Sequence, residues 1–206
     1  MRIGIDFDNT IVSYDALFHK VAIEKEIIPA GVRPTKVAVR EYLVRSGREE
    51  LWTEMQGHVY GARMDEAVAY PGAVEFLKWA ARQGASVLII SHKTLHPFLG
   101  PRYDLHAAAR SWVERHLEDR GRALVTAGDV YFELTQQEKL ARIGASSCDY
   151  YIDDLPEILL APGFPVGTRR ILFDPEAHHA DAGPINVMGS WQDILSYFRR
   201  ECPPNR

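Results

Sequence analysis

Arg2-Ile3-Gly4-Ile5-Asp6-Phe7-Asp8-Asn9-Thr10 is the stretch that decides the fold. Its first four residues read as a short buried strand. The strand stops in two carboxylates one residue apart. Side chains alternate along a strand, and the chain bends as it leaves one. Asp6 and Asp8 can therefore both face the crevice at the strand's carboxyl end, where open α/β sheets bind ligands. Two acids this close repel each other and call for a cation. A hard, oxygen-liganded ion such as Mg2+ suits them.

Working outward, residues 13–70 show no strand pattern. Leu17, Val21 and Ala22 share a stripe at helical spacing. Pro34-Thr35 opens a second helical segment carrying Val37, Val39 and Leu43, with Gly47 as its stop. Leu51, Trp52, Met55 and Val59 mark a third that ends near Gly61. A crossover between parallel strands needs only about a dozen residues. The block is therefore read as a small α-helical cap inserted into a core made of residues 1–12 and 71–206.

Beyond Tyr70-Pro71-Gly72 the pattern turns regular. A helix runs to about Gln83, and strands are predicted over 85–90, 129–134, 149–152 and 170–173. Between them lie helices over 104–118 and 136–143, the latter closed by Gly144. Ser190 with Asp193 resembles a capping box for a final helix through Arg199. Strands alternating with helices predict an α/β fold: a doubly wound parallel sheet, Rossmann-like, covered on both faces.

The 206 residues suffice for one such core and a modest insertion. A net charge of -4 gives no electrostatic reason to expect nucleic acid as a partner. No run approaches the ~18 apolar residues of a membrane span, and Asp6 and Asp8 interrupt the amino-terminal apolar stretch, which argues against a signal peptide. Cys148 and Cys202 lack metal-ligand spacing and make no disulfide framework, so a reducing, cytoplasmic compartment is expected.

Four polar clusters fall at or just after strands: Asp6 with Asp8, Ser91, Lys139, and Asp153 with Asp154. Strand ends of one polarity meet on one edge of a parallel sheet, so these groups can converge. Carboxylates for a divalent cation, a hydroxyl and an ammonium are the equipment of phosphoryl transfer, where positioning and charge stabilisation do most of the catalysis.

In these motifs the chain resembles the haloacid dehalogenase superfamily on its phosphatase side. Asp6 to Thr10 matches that family's first-strand D-x-D-x-T, Ser91 its second-strand hydroxyl, Lys139 its lysine ahead of the fourth strand, and Asp153-Asp154 its acidic pair. Residues 13–70 stand where the family carries its cap. Ile152-Asp153-Asp154-Leu155-Pro156 is also similar to the acidic motif of deoxyribonucleotidases of the superfamily. The resemblance implies that Asp6 is the nucleophile, forming an aspartyl-phosphate, and that Asp8 protonates the leaving oxygen and then activates water. It implies a Mg2+ site from Asp6, the Asp8 carbonyl and Asp154, with Asp153 either the direct ligand in place of Asp154 or a group behind it, and with phosphoryl oxygens held by Ser91 and Lys139. The implied substrate is a small phosphorylated metabolite of the sugar-phosphate or nucleotide-monophosphate class. The alternatives are a phosphotransferase or mutase using the same intermediate, or a weakly catalytic phosphate-binding module.

Other residues compete for these roles. Lys93 is the rival of Lys139 for the phosphate, and His92 is either a site residue or a loop histidine. His178-His179 reads as a solvated loop rather than a metal tract. Arg40, Arg45, Arg48 and Arg63 are placed to reach a substrate from the cap or simply to face solvent. Trp52, Trp79, Trp112 and Trp191 are expected in packing.

Overall fold

The computed structural model describes residues 1–179, 183 and 185–202. Among them, β1 (Arg2–Ile5), β2 (Ser86–His92), β3 (Val130–Glu133), β4 (Tyr150–Asp153), β5 (Arg169–Phe173) and β6 (Asn186–Met188) form one sheet in the order β6-β5-β4-β1-β2-β3. Every pairing is parallel. β1 is central, with Ile5 in register with Ile89 of β2 and Ile152 of β4.

Strand alternation splits the core into two layers. Ile3, Ile5, Val87, Ile89, Ile152 and Ile171 face one buried cluster. Leu88, Ile90, Tyr151 and Leu172 face the other. The helices are α1 (Asp15–Glu24), α2 (Lys36–Arg45), α3 (Glu49–Tyr60), α4 (Ala73–Arg82), α5 (Leu105–His116), α6 (Gln136–Ala145), α7 (Pro156–Leu159) and α8 (Trp191–Glu201). Residues of α1 to α5 and α8 line the first cluster; those of α6 and α7 line the second.

Several starts are fixed by side-chain caps, as the sequence predicts. Thr35 Oγ1 accepts from the Ala38 amide at 3.1 Å, and Ser190 Oγ from the Asp193 amide at 3.1 Å. The expected stop of α6 at Gly144 is corrected. The helix runs on to Ala145, and Ser147, at φ 49°, takes the left-handed turn instead. Three short strand features escape the sequence reading. β6 is only three residues long, and Val12–Ser13 pairs antiparallel with Val68–Ala69 at the base of the α1–α3 segment. Glu118–Asp119 pairs in the same way with Arg122–Ala123. Runs this short carry no period for pattern reading to detect.

Candidate active site

The chain leaves β1 with one more ladder bond, from the Asp6 amide to the Ile152 carbonyl at 2.8 Å, and then folds tightly back. The amides of Ile11 and Val12 both reach the Phe7 carbonyl at 3.1 Å. Asn9 turns the corner at φ 58°, a left-handed conformation that asparagine tolerates better than most residues. Phe7 goes into the core at 0% exposure, and the polar side chains on either side of it are left at the sheet edge.

Asp6 meets the end of β4 there. One carboxylate oxygen of each of Asp6, Asp153 and Asp154 lies within 4.8 Å of the others. Lys139, on the first turns of α6 and 1% exposed, sends its ammonium between two of them: Nζ lies 2.7 Å from Asp6 Oδ1 and 2.7 Å from Asp153 Oδ2. Thr10 donates to Asp154 Oδ1 at 3.1 Å, and its own carbonyl is held by Trp191 Nε1 at 3.0 Å. Asp153 Oδ1 accepts the Leu155 amide at 2.9 Å, whereas its buried Oδ2 makes no well-directed hydrogen bond.

This centre holds three carboxylates against one ammonium. Burial pushes the Asp6 carboxyl up to about 7; Lys139 works against that rise and Asp153 adds to it. Asp154 is pushed well up by burial and by Asp6 and Asp153. Burial opposes the charge on Lys139, but Asp6 and Asp153 outweigh it and hold the ammonium charged. A divalent cation fits such a centre. It would neutralise the surplus charge and give Asp153 Oδ2 a second charged partner beside Lys139.

Asp8 stands apart. Its carboxylate is gripped by Lys93 Nζ at 2.9 and 2.6 Å and by the Tyr14 hydroxyl at 2.5 Å. Burial alone would raise its pKa, yet Lys93 and Tyr14 hold it below the usual carboxylate value. Lys93 Nζ also sits 4.9 Å from the centre of the Tyr60 ring and 5.7 Å from that of Phe7. Lys36, at the start of α2, donates to Asn9 Oδ1 at 3.2 Å.

No protein-family model and no curated protein matches the chain. Solved structures do. A HAD-superfamily hydrolase from Ehrlichia chaffeensis superposes with a TM-score of 0.57 at 12% identity, covering 97% of this chain and 96% of the other. A predicted phosphatase from Clostridium acetobutylicum gives 0.59 at 14%, covering 97% and 98%. The fold is that of the haloacid dehalogenase superfamily. An archaeal beta-phosphoglucomutase from Pyrococcus sp. strain ST 04 shares it as well, with a TM-score of 0.55 at 12% identity over 96% and 97% of the two chains.

Within this haloacid dehalogenase fold, the structure brings Asp6, Lys139, Asp153 and Asp154 into one cluster. Ser91, 1% exposed, lies two residues beyond the β2 partner of Ile5, beside the exit of β1. Lys93 is occupied with Asp8 while Lys139 reaches Asp6. His92 is exposed, its Nε2 3.1 Å from the Leu134 carbonyl. His178 and His179 lie in an exposed loop after β5, and their amides donate to the Asp174 carboxylate. The arginines considered for substrate contact are engaged elsewhere: Arg45 with Glu41, Arg48 with Ser46, and Arg63 with Glu24 and Glu66; Arg40 is exposed. Trp52, Trp112 and Trp191 are buried as expected, and Trp79 packs against the core. The sequence reading misses Tyr14, Lys36 and Tyr60. They carry no motif, and only the packing of α1 to α3 onto the β1 exit reveals them.

Proposed function

We propose that the protein is a Mg2+-dependent phosphatase that hydrolyses small phosphate esters through an aspartyl-phosphate on Asp6. One observation carries this reading: Asp6 shares a single pocket of charge with Lys139, Asp153 and Asp154. Asp6, Asp153, Asp154 and the Asp8 carbonyl would hold the ion, with Asp154, the more accessible of the pair, as the direct ligand. Bound there, Mg2+ supplies charge neutralisation for the incoming phosphoryl group.

In the first half-reaction an Asp6 carboxylate oxygen attacks phosphorus. The bond to the leaving oxygen breaks, and that oxygen takes a proton from Asp8. Lys93 and Tyr14 keep Asp8 ionised in the free protein, and it takes up that proton when the negative charge of the incoming phosphate ester raises its pKa. In the second half, water attacks the phosphorus of the acyl phosphate, Asp8 accepts the water's proton, and the Asp6–phosphorus bond breaks to release phosphate. Lys93 and Tyr14 keep the Asp8 carboxylate aimed through both steps. Ser91 and Lys139 hold the phosphoryl oxygens. Residues 13–70 form the cap, set over the core of residues 1–12 and 71–206, and exclude water from the reacting centre.

The likeness to a beta-phosphoglucomutase keeps one second reading in play, transfer of the phosphoryl group to an acceptor hydroxyl instead of water. The net charge of -4 supports a small-molecule substrate rather than nucleic acid. Among the described residues no helix is long and apolar enough to cross a membrane. Cys148 and Cys202 are unpaired, which supports a reducing, cytoplasmic setting. The test is release of inorganic phosphate from a panel of small phosphate esters with Mg2+ and with excess chelator. Release that needs Mg2+ and Asp6 upholds the proposal. Loss of ester only when an acceptor alcohol is present favours transfer, and full activity in chelator overturns the metal's role.

A further inference from the structure

We propose that Lys36 anchors a second negative charge on the substrate, so that the site takes phosphate esters whose other end carries a carboxylate or a comparable anion. The inference rests on the reading above only in taking the Asp6 cluster as the phosphoryl end. A cavity of about 220 Å3 lies between the start of α2 and the loop after β5. Asn9 and Asp154 line it, so it opens directly on the carboxylate cluster, and Lys36 stands on its wall.

The balance of charge inside the cavity decides what it can hold. Each of the other carboxylates on its wall is already engaged. Asp15 accepts the Lys36 amide at 2.7 Å, and Asp174 accepts the amides of His178 at 3.0 Å and His179 at 2.7 Å. Glu176 lies 3.2 Å from His178 Nε2, and Asp154 takes the Thr10 hydroxyl. The Lys36 ammonium is different. It donates to the neutral Asn9 amide oxygen, and among the described residues no carboxylate lies within 4.0 Å of it. The Phe18 and Tyr60 rings, each 5.7 Å away, favour the cation, and a hydrogen bond with Tyr60 and the charges of Asp8 and Asp154 also support it. Asn9 and Tyr60 take up two of the three ammonium N–H groups at most. Lys36, on the cavity wall, therefore keeps one donor and its full charge for a ligand anion in a partly buried, weakly screened setting. Leu155 and Phe173 on the same wall offer apolar contact for a short carbon chain between the two charged ends. A cavity this size has room for a small diacid-like molecule.

Binding of inert phosphonates, measured by calorimetry on the intact protein with Mg2+, tests this apart from turnover. Phosphonoacetate and 3-phosphonopropionate are each compared with the alkylphosphonate of equal length, ethyl or propyl. At least one carboxylate-bearing ligand should bind about tenfold or more tightly than its neutral counterpart, the factor expected of a hydrogen-bonded charge pair. Lys36→Met should close that gap, and Lys36→Arg should largely preserve it. Equal affinity for both ligands of each pair, no binding of either carboxylate ligand, or a gap that survives in Lys36→Met would overturn the proposal. The comparison on the unaltered protein stands even if a variant fails to fold. A gap present in a protein that hydrolyses no ester would sink the phosphatase reading and leave the anion subsite standing.

Discussion

Lys93 Nζ lies 2.9 and 2.6 Å from the two carboxylate oxygens of Asp8, and both residues come from elements that end at the same edge of the sheet. The pair is largely withdrawn from solvent, with the Lys93 side chain 4% and the Asp8 side chain 22% exposed. Lys93→Met leaves Asp8 with Tyr14 alone. Losing one partner of a buried pair costs on the order of 3 kcal/mol. Thermal melts should therefore show a clear loss of stability, and turnover should fall because Asp8 is no longer aimed. Lys93→Arg should recover part of both. Wild-type melting and kinetics in Lys93→Met would show that the pair is incidental.

Asp6→Asn should abolish turnover while keeping the fold. An amide is a poor nucleophile, and removing a nucleophile costs a factor of about 10³ or more. The fold should survive because the change takes one charge out of a cluster of three carboxylates facing Lys139. The variant's circular dichroism and melting point should match or exceed the parent's. Near-normal turnover in the folded variant would rule out covalent catalysis at Asp6.

Metal and proton should compete for the Asp6 cluster. The Asp6 carboxyl moves from 3.8 when unfolded to about 7 when folded. The folded protein then keeps a proton that the unfolded chain gives up. This stability is complete below about pH 4 and is lost as pH rises towards about 7. Asp154 acts in the same direction. Asp8, shifted downward, is ionised in both states across this window and leaves the slope unchanged. In chelator the melting temperature should fall between about pH 5 and pH 7. Mg2+ should restore more of it at the higher pH, where no protons must be displaced. Asp154→Asn should blunt the Mg2+ effect more than Asp153→Asn, whose partner Lys139 remains. A Mg2+ effect that is absent, or larger in acid, would contradict the assignment.

Gly57 sets how closely α3 approaches the loop after β2. A Cβ there would fall 2.6 Å from the Pro97 ring and 3.3 Å from the Leu99 carbonyl, neither of which yields easily. Gly57→Val should push α3 outward at a cost of about 1–3 kcal/mol. It should also move Tyr60, the last residue of that helix, away from Lys93 and Lys36. Melting temperature should drop and KM should rise. Unchanged values for both would mean that the seat is loose.

The core of this fold was legible because its signals are local. Ile3, Gly4 and Ile5 ending in Asp6, the run around Ile89 and Ile90, and Ile152 ending in Asp153 each announce a strand and its polar exit within a few residues. Gly4 illustrates a constraint that pattern reading cannot weigh: a Cβ there would lie 2.6 Å from the Tyr151 ring on the adjacent strand. The side chains that α1 to α3 bring against Asp8, Asn9 and Lys93 were not legible. Lys36 looks like any lysine at the start of an exposed helix, and Tyr14 and Tyr60 like ordinary amphipathic filling. Their relation to Asn9, Asp8 and Lys93 arises from how α1 to α3 pack, and that packing has no sequence period. The arginines drew attention for their charge, yet the i,i+3 and i,i+4 neighbours Glu66 and Glu41 already claim two of them.

Phe18, Val21, Leu43, Trp52 and Val59 belong to the same buried cluster as Ile5, Ile89 and Ile152. The helical segment therefore does not ride on the sheet as a detachable module. A chimaera in which residues 13–70 are traded for a relative's segment would inherit a mismatched apolar seam, and a short Gly/Ser bridge in their place would leave that seam bare. Recombination can exchange such a segment only together with the residues of the body that it interlocks with. Point changes around Lys36 and Asn9 would disturb that shared core less than replacing residues 13–70 whole.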